Sequence, residues 1–160
     1  MLPEFVNGLP LHPLTVHFVV VLLPLAVLGA IVVAVWPAAR ARFGWLVVAV
    51  AAVATILVPV ATSSGTDLQR RLPDNELVRT HQQLGDLMLY FAIPLLVAVV
   101  ALMVVHEVGK RQAVGWTKIA TIAVAVLTIG FAVAAGVHVY RVGEAGSRAV
   151  WDGVQNTQPR

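Results

Sequence analysis

Of 160 residues, 59% are apolar and only 12% charged, against roughly a quarter charged in a soluble domain; a soluble fold this small has no interior able to hide so much Val, Leu, Ile and Ala. The net charge of +3 comes from scattered Lys and Arg, which excludes the clustered basic patch of a nucleic-acid binder and leaves these residues as membrane-topology anchors. Cysteine is absent, which excludes a disulfide frame, a thiolate metal site and c-type haem attachment.

No basic run precedes the first apolar stretch, so a cleaved signal peptide is not expected. Apolar runs long enough to cross a bilayer fall at about 14–36, 43–62, 86–105 and 116–140. They predict an all-α integral membrane four-helix bundle, a single domain with a short exposed tail over 141–160. The turn after the first run carries Arg40 and Arg42. Ser63-Ser64-Gly65-Thr66-Asp67 reads as a turn cluster that stops the second run. In the connection over 63–80, Arg70, Arg71 and Arg79 balance Asp67, Asp74 and Glu76. Asp74 or Asn75 then caps a helix that passes through His81 into the third run. The turn after that run carries Lys110 and Arg111, with Lys118 just inside the fourth.

The two short basic turns belong in the cytoplasm by the positive-inside rule, and Trp36, Trp45 and Trp116 gather at the same ends. Both termini and the 63–80 connection are therefore expected on the outer side, in a bacterial inner membrane.

On this topology His12, His17, His81 and His138, contributed by three helices, converge near the outer surface, while His106 stands apart at the inner end as a boundary residue. At 1.5 Å per residue, His81 lies about 7 Å beyond the apolar core of its span. Thr121, Ala125, Thr128, Ala132 and Ala135 recur at three- and four-residue spacing, a seam of small residues that His138 extends. His81, Gly85, Met88 and Ala92 make a similar stripe, and Gly85 leaves space for a flat cofactor. Pro24, Pro59 and Pro94 bend their spans in the outer half and open a cavity there, although proline is also simply commoner in membrane helices. Gln82, Asp86 and Tyr90 follow at one-turn spacing. Arg79 and Arg141, with Arg70 and Arg71, lie where they reach haem propionates; interfacial snorkelling is the favoured account of any one of them.

Leu11-His12-Pro13-Leu14-Thr15-Val16-His17-Phe18 resembles the opening of a bacterial membrane family, the domain of unknown function 2231 family. The resemblance continues through Ser64-Gly65-Thr66-Asp67, His81 and Val139-Tyr140-Arg141-Val142-Gly143, nearly the whole chain. The family has no settled activity. Some relatives are joined to Rieske iron–sulfur or c-type cytochrome domains, which implies electron-transfer company. His12, His17 and His81 match the family pattern; His138 stands where relatives more often carry an apolar residue.

Three readings follow. In the first, the chain is a b-type cytochrome, an electron carrier rather than an enzyme, with haem ligated by His17 and His81, His138 as a substitute and His12 in a supporting place. It exchanges electrons with a quinone or a redox protein such as a Rieske or cytochrome c domain, as a monomer or homo-oligomer. In the second, the four outer histidines hold Zn²⁺ or copper. In the third, the bundle is an accessory subunit without chemistry of its own.

Overall fold

The computed structural model describes residues 5–73, 75–111 and 115–152. A two-residue antiparallel ribbon, β1 (Phe5–Val6) and β2 (Leu9–Pro10), precedes the helices. Its turn is Asn7-Gly8, both with positive φ, the backbone that a tight hairpin requires and that Asn-Gly tolerates best.

Among the described residues five helices follow: α1 (Leu11–Val35), α2 (Pro37–Gln69), α3 (Glu76–Asp86), α4 (Met88–Arg111) and α5 (Trp116–Trp151). The single residue Leu87 separates α3 from α4, and its backbone is itself helical, so the two run as one segment. Four segments among these residues are long and apolar enough to cross a membrane: α1, α2, α3 with α4, and α5. The protein is an all-α, multi-pass membrane bundle. α1 packs most extensively on α2, and α4 on α5, giving two antiparallel hairpins laid side by side.

Small residues make these contacts close. A Cβ on Gly44 would sit 2.1 Å from Met103 Sδ, and one on Gly29 2.9 Å from a Val47 methyl. Such near approaches replace, inside lipid, the hydrophobic drive that packs helices in water. On α5 the buried residues are Ala125, Thr128, Ala132, Ala135 and His138, the seam expected from their spacing.

Three local expectations need correction. The stretch expected as an exposed tail is helix as far as Trp151, with Val142 and Gly146 half-buried. The turn cluster does not stop α2, which runs on to Gln69. The hydroxyls of Ser63, Ser64 and Thr66 bond back to carbonyls three or four residues earlier, so they satisfy themselves within the helix instead of breaking it. Arg40 and Arg42 lie within α2 rather than in a turn, because Trp36 alone joins α1 to α2. Arg40 is 5% exposed; its Nε and Nη2 donate to the carbonyls of Val33 and Ala34 at 2.8 and 2.6 Å. It thereby serves carbonyls left without partners at the C-terminus of α1. The cap of α3 is Asn75, whose Oδ1 accepts from the Leu77 amide at 2.8 Å; Asp74 lies outside the described residues.

α2 and α5, with 33 and 36 residues, are about 50 and 54 Å long, well beyond a hydrocarbon core of about 30 Å. Their C-terminal ends rise past the start of α1 and, with α3, build a head on the termini-bearing end of the bundle.

Candidate site between two imidazoles

A cavity of about 320 Å³ lies in this head, walled by α1, α2, α3 and α5. Its lining is overwhelmingly aliphatic, with Val16, Val19, Val58, Leu68, Val139 and Val142 among the walls. Two imidazoles face into it, His12 from α1 and His81 from α3. Their ring centres are 6.2 Å apart and their planes meet at 71°.

Each ring is gripped in the same way. His12 Nδ1 bonds the Ala61 carbonyl of α2 at 2.8 Å. His81 Nδ1 bonds the Val142 carbonyl of α5 at 3.0 Å. Four residues after each carbonyl comes a glycine, Gly65 and Gly146. A Cβ on either would stand 2.9 Å from the Cε1 of the imidazole above it. Only glycine lets the ring lie flat enough on its neighbouring helix to reach the carbonyl.

The grip also fixes the chemistry. A carbonyl oxygen only accepts, so Nδ1 carries the hydrogen, and in the neutral ring Nε2 is a bare lone pair. Neither Nε2 has a protein partner among the described residues, since Nδ1 makes the hydrogen bond of each ring. A metal-ligating histidine carries this same arrangement, one nitrogen tethered to a carbonyl and the other free to coordinate. Beneath His12 the grip is reinforced: Thr15 Oγ1 approaches Ser64 Oγ at 3.5 Å in a buried pair. Gly85 and Gly143 line the cavity with open space where a Cβ would project.

A family model described as a predicted membrane protein, DUF2231, matches residues 8–159. The chain belongs to that family. No curated protein and no solved structure matches the DUF2231 chain.

The remaining candidates fall elsewhere. His17 is exposed on α1 and bonds the Pro13 carbonyl of its own helix; it does not line the cavity. Five residues separate it from His12, about 140° around a helix, so the two cannot share a face. His138 is 4% exposed, bonds the Leu84 carbonyl through Nε2 at 2.9 Å and stacks on Phe91 with centres 4.1 Å apart. It is a brace between α5, α3 and α4 and stays off the cavity lining. Arg79 is exposed, and Arg141 borders a second, more polar hollow between α3 and α5 with Glu144 and Arg148; neither lines the main cavity. No group of three or more His, Asp or Glu gathers to hold a metal among the described residues, so the four-histidine sphere for zinc or copper does not assemble.

The sequence reading passed over Gly65 and Gly146 as site residues and gave His12 only a supporting place. A signal was present. Val16 and Val19 continue the face of His12 at helical spacing, whereas Val21 and Pro24 continue that of His17.

Proposed function

We propose that this DUF2231 protein is a membrane b-type cytochrome that holds haem between the Nε2 atoms of His12 and His81, on the outer side of the membrane. The observation that carries it is the matched pair of tethered imidazoles. Two imidazoles that share one metal ion must bring their free nitrogens close to it from both sides, which asks for neighbouring rings. The ring centres stand 6.2 Å apart. Held by both imidazoles, the haem would be suited to electron transfer.

The residues also fit the group around its ligands. The valine walls supply an apolar, water-poor surrounding, which favours burial of a macrocycle. Gly85 leaves flat space. When bound, the haem supplies a reversible one-electron store. Of the chain's own groups, Ala61 and Val142 aim the imidazoles and keep the hydrogen on Nδ1, while Thr15 and Ser64 hold α1 against α2. The aqueous side taken for this site follows from Arg42, Lys110, Arg111 and Lys118 lying exposed at the opposite end.

The absorption spectrum of the purified protein tests the proposal. A Soret band with sharp reducible α and β bands is expected. His12→Ala and His81→Ala each remove the low-spin spectrum, and His17→Ala leaves it intact. A colourless protein reconstituted with haem to no effect overturns the proposal and leaves the accessory-subunit reading; a spectrum lost in His17→Ala and kept in His12→Ala overturns the ligand pair.

A further inference from the structure

Four seams between neighbouring helices enclose the cavity, and hydrogen bonds close three of them. His12 to Ala61 and the Thr15–Ser64 pair close α1–α2. Gln82 Nε2, donating to Thr66 Oγ1 at 3.3 Å, closes α2–α3. His81 to Val142 and His138 to Leu84 close α3–α5. The fourth seam, α1–α5, has no such bond among the described residues.

The α1–α5 seam is tight lower down and opens upward. At Gly136 a Cβ would lie 3.3 Å from Val27 Cγ1, and Val27 is buried. Two turns further up the same side of α1, Val20 lines the cavity yet is 45% exposed, and Pro13 beyond it is exposed too. The facing side of α5 behaves alike: Gly136 continues as Val139, Gly143 and Val150, all cavity-lining, with Gly143 exposed and Val150 68% exposed. Val20 lies nine residues into a membrane-spanning helix, about 13 Å from its start. Lipid-facing neighbours flank the gap, Phe18 and Val21 on α1 and Val137 on α5. The opening therefore runs without interruption from the lipid-facing surface to the imidazole pair.

We infer that the α1–α5 seam is a lateral binding site for a membrane-dissolved molecule of the quinone class, its flat polar head toward the imidazoles and its apolar tail in the bilayer. Both walls are mostly valine and glycine, with Pro13 and Ala149, and neither carries a charge to hold a water-borne ligand; Asp86, the charged side chain on the lining, comes from α3, and the missing side chain of Gly143 leaves open space for a planar ring. An apolar tail loses nothing by staying in lipid, because the slot is an extension of it. The choice of a redox-active head rests on the cytochrome reading, while the seam itself does not.

Photolabelling separates the two. The full-length protein, reconstituted in phosphatidylcholine vesicles, is irradiated with a short-tailed azidobenzoquinone and its labelled peptides are mapped. Label is expected on the segments 13–20 and 139–150, displaced by unlabelled quinone and not by excess oleate. Val20→Trp and Gly143→Trp lose most of it, whereas Phe18→Trp, beside the seam on the lipid-facing side, keeps it. Label displaced equally by oleate identifies a lipid-chain groove and overturns the inference. So does label that is unchanged in both Trp variants or located elsewhere. A protein that shows the haem spectrum without seam labelling sinks this inference alone; one that labels at the seam and never binds haem sinks the cytochrome reading alone.

Discussion

Gly65 and Gly146 do one job on two different helices, and the job is visible only because each sits one turn after a carbonyl that accepts from an imidazole. An added methyl at either position meets the ring at 2.9 Å. Alanine also favours a helix over glycine by about 1 kcal/mol, so Gly65→Ala and Gly146→Ala separate helix stability from site geometry. Thermal melting of the apoprotein is expected to hold or rise. Haem retention is expected to fall about tenfold or more, because the displaced ring loses its carbonyl tether, measured by competitive haem transfer. Unchanged retention shows that the grip on the carbonyl is dispensable. His138 gives the opposite pattern. Its ring is buried on Phe91 and bonded to Leu84, so His138→Ala costs about 1–3 kcal/mol of stability, read by denaturant titration, and leaves the haem bands in place. The histidine residue types and their shared end of the bundle were legible in the sequence. That only one histidine of the first helix faces inward was legible too, since a spacing of five residues forbids His12 and His17 from sharing a face. The carbonyl anchors were not, because a carbonyl belongs to every residue and only the packing of α1 on α2 and of α3 on α5 selects Ala61 and Val142.

At the scale of elements, the close crossings decide how the helices sit. Gly44 on α2 meets Met103 on α4 with no room for a methyl, one turn along α2 from the buried Arg40 cap. Gly44→Val forces these helices apart and is expected to destabilise the bundle by about 1–3 kcal/mol, with Met103→Ala in the same chain restoring part of the loss by making room. Denaturant melts of the single and double variants measure it, and equal stability of Gly44→Val and wild type contradicts the tight crossing. The runs of apolar residues announced each spanning helix, and the cap of α3 was legible as Asp74 or Asn75, of which Asn75 makes the bond. The ends of α2 were not. A Ser-Ser-Gly-Thr stretch ordinarily interrupts a helix in water, yet here three of its hydroxyls turn inward on their own backbone and the helix continues to Gln69. This extension brings Gly65 and Leu68 to the cavity; a chain that stopped at residue 62 would leave His12 without its anchor's helix.

For the whole molecule, four spans followed from hydropathy and length alone, because lipid tolerates only helices that satisfy their own backbone at such a composition. The distribution of charge predicts that the termini lie on the outer side, and the absence of cysteine makes this easy to check. Gln83→Cys in the head and Arg42→Cys at the opposite end are both exposed positions. A membrane-impermeant thiol reagent added to intact spheroplasts is expected to modify residue 83 at once and residue 42 only after permeabilisation. The reverse order inverts the topology and moves the site to the cytoplasm.

Each imidazole is clasped inside its own half of the chain, His12 by α2 and His81 by α5. The two halves are thus prefabricated jaws, and a group coordinated by both rings would work as a rivet driven through them. Affinity for that rivet and cohesion of the halves would then be one quantity seen from two sides: loosening the jaws would release the ligand, and removing the ligand would let the jaws drift.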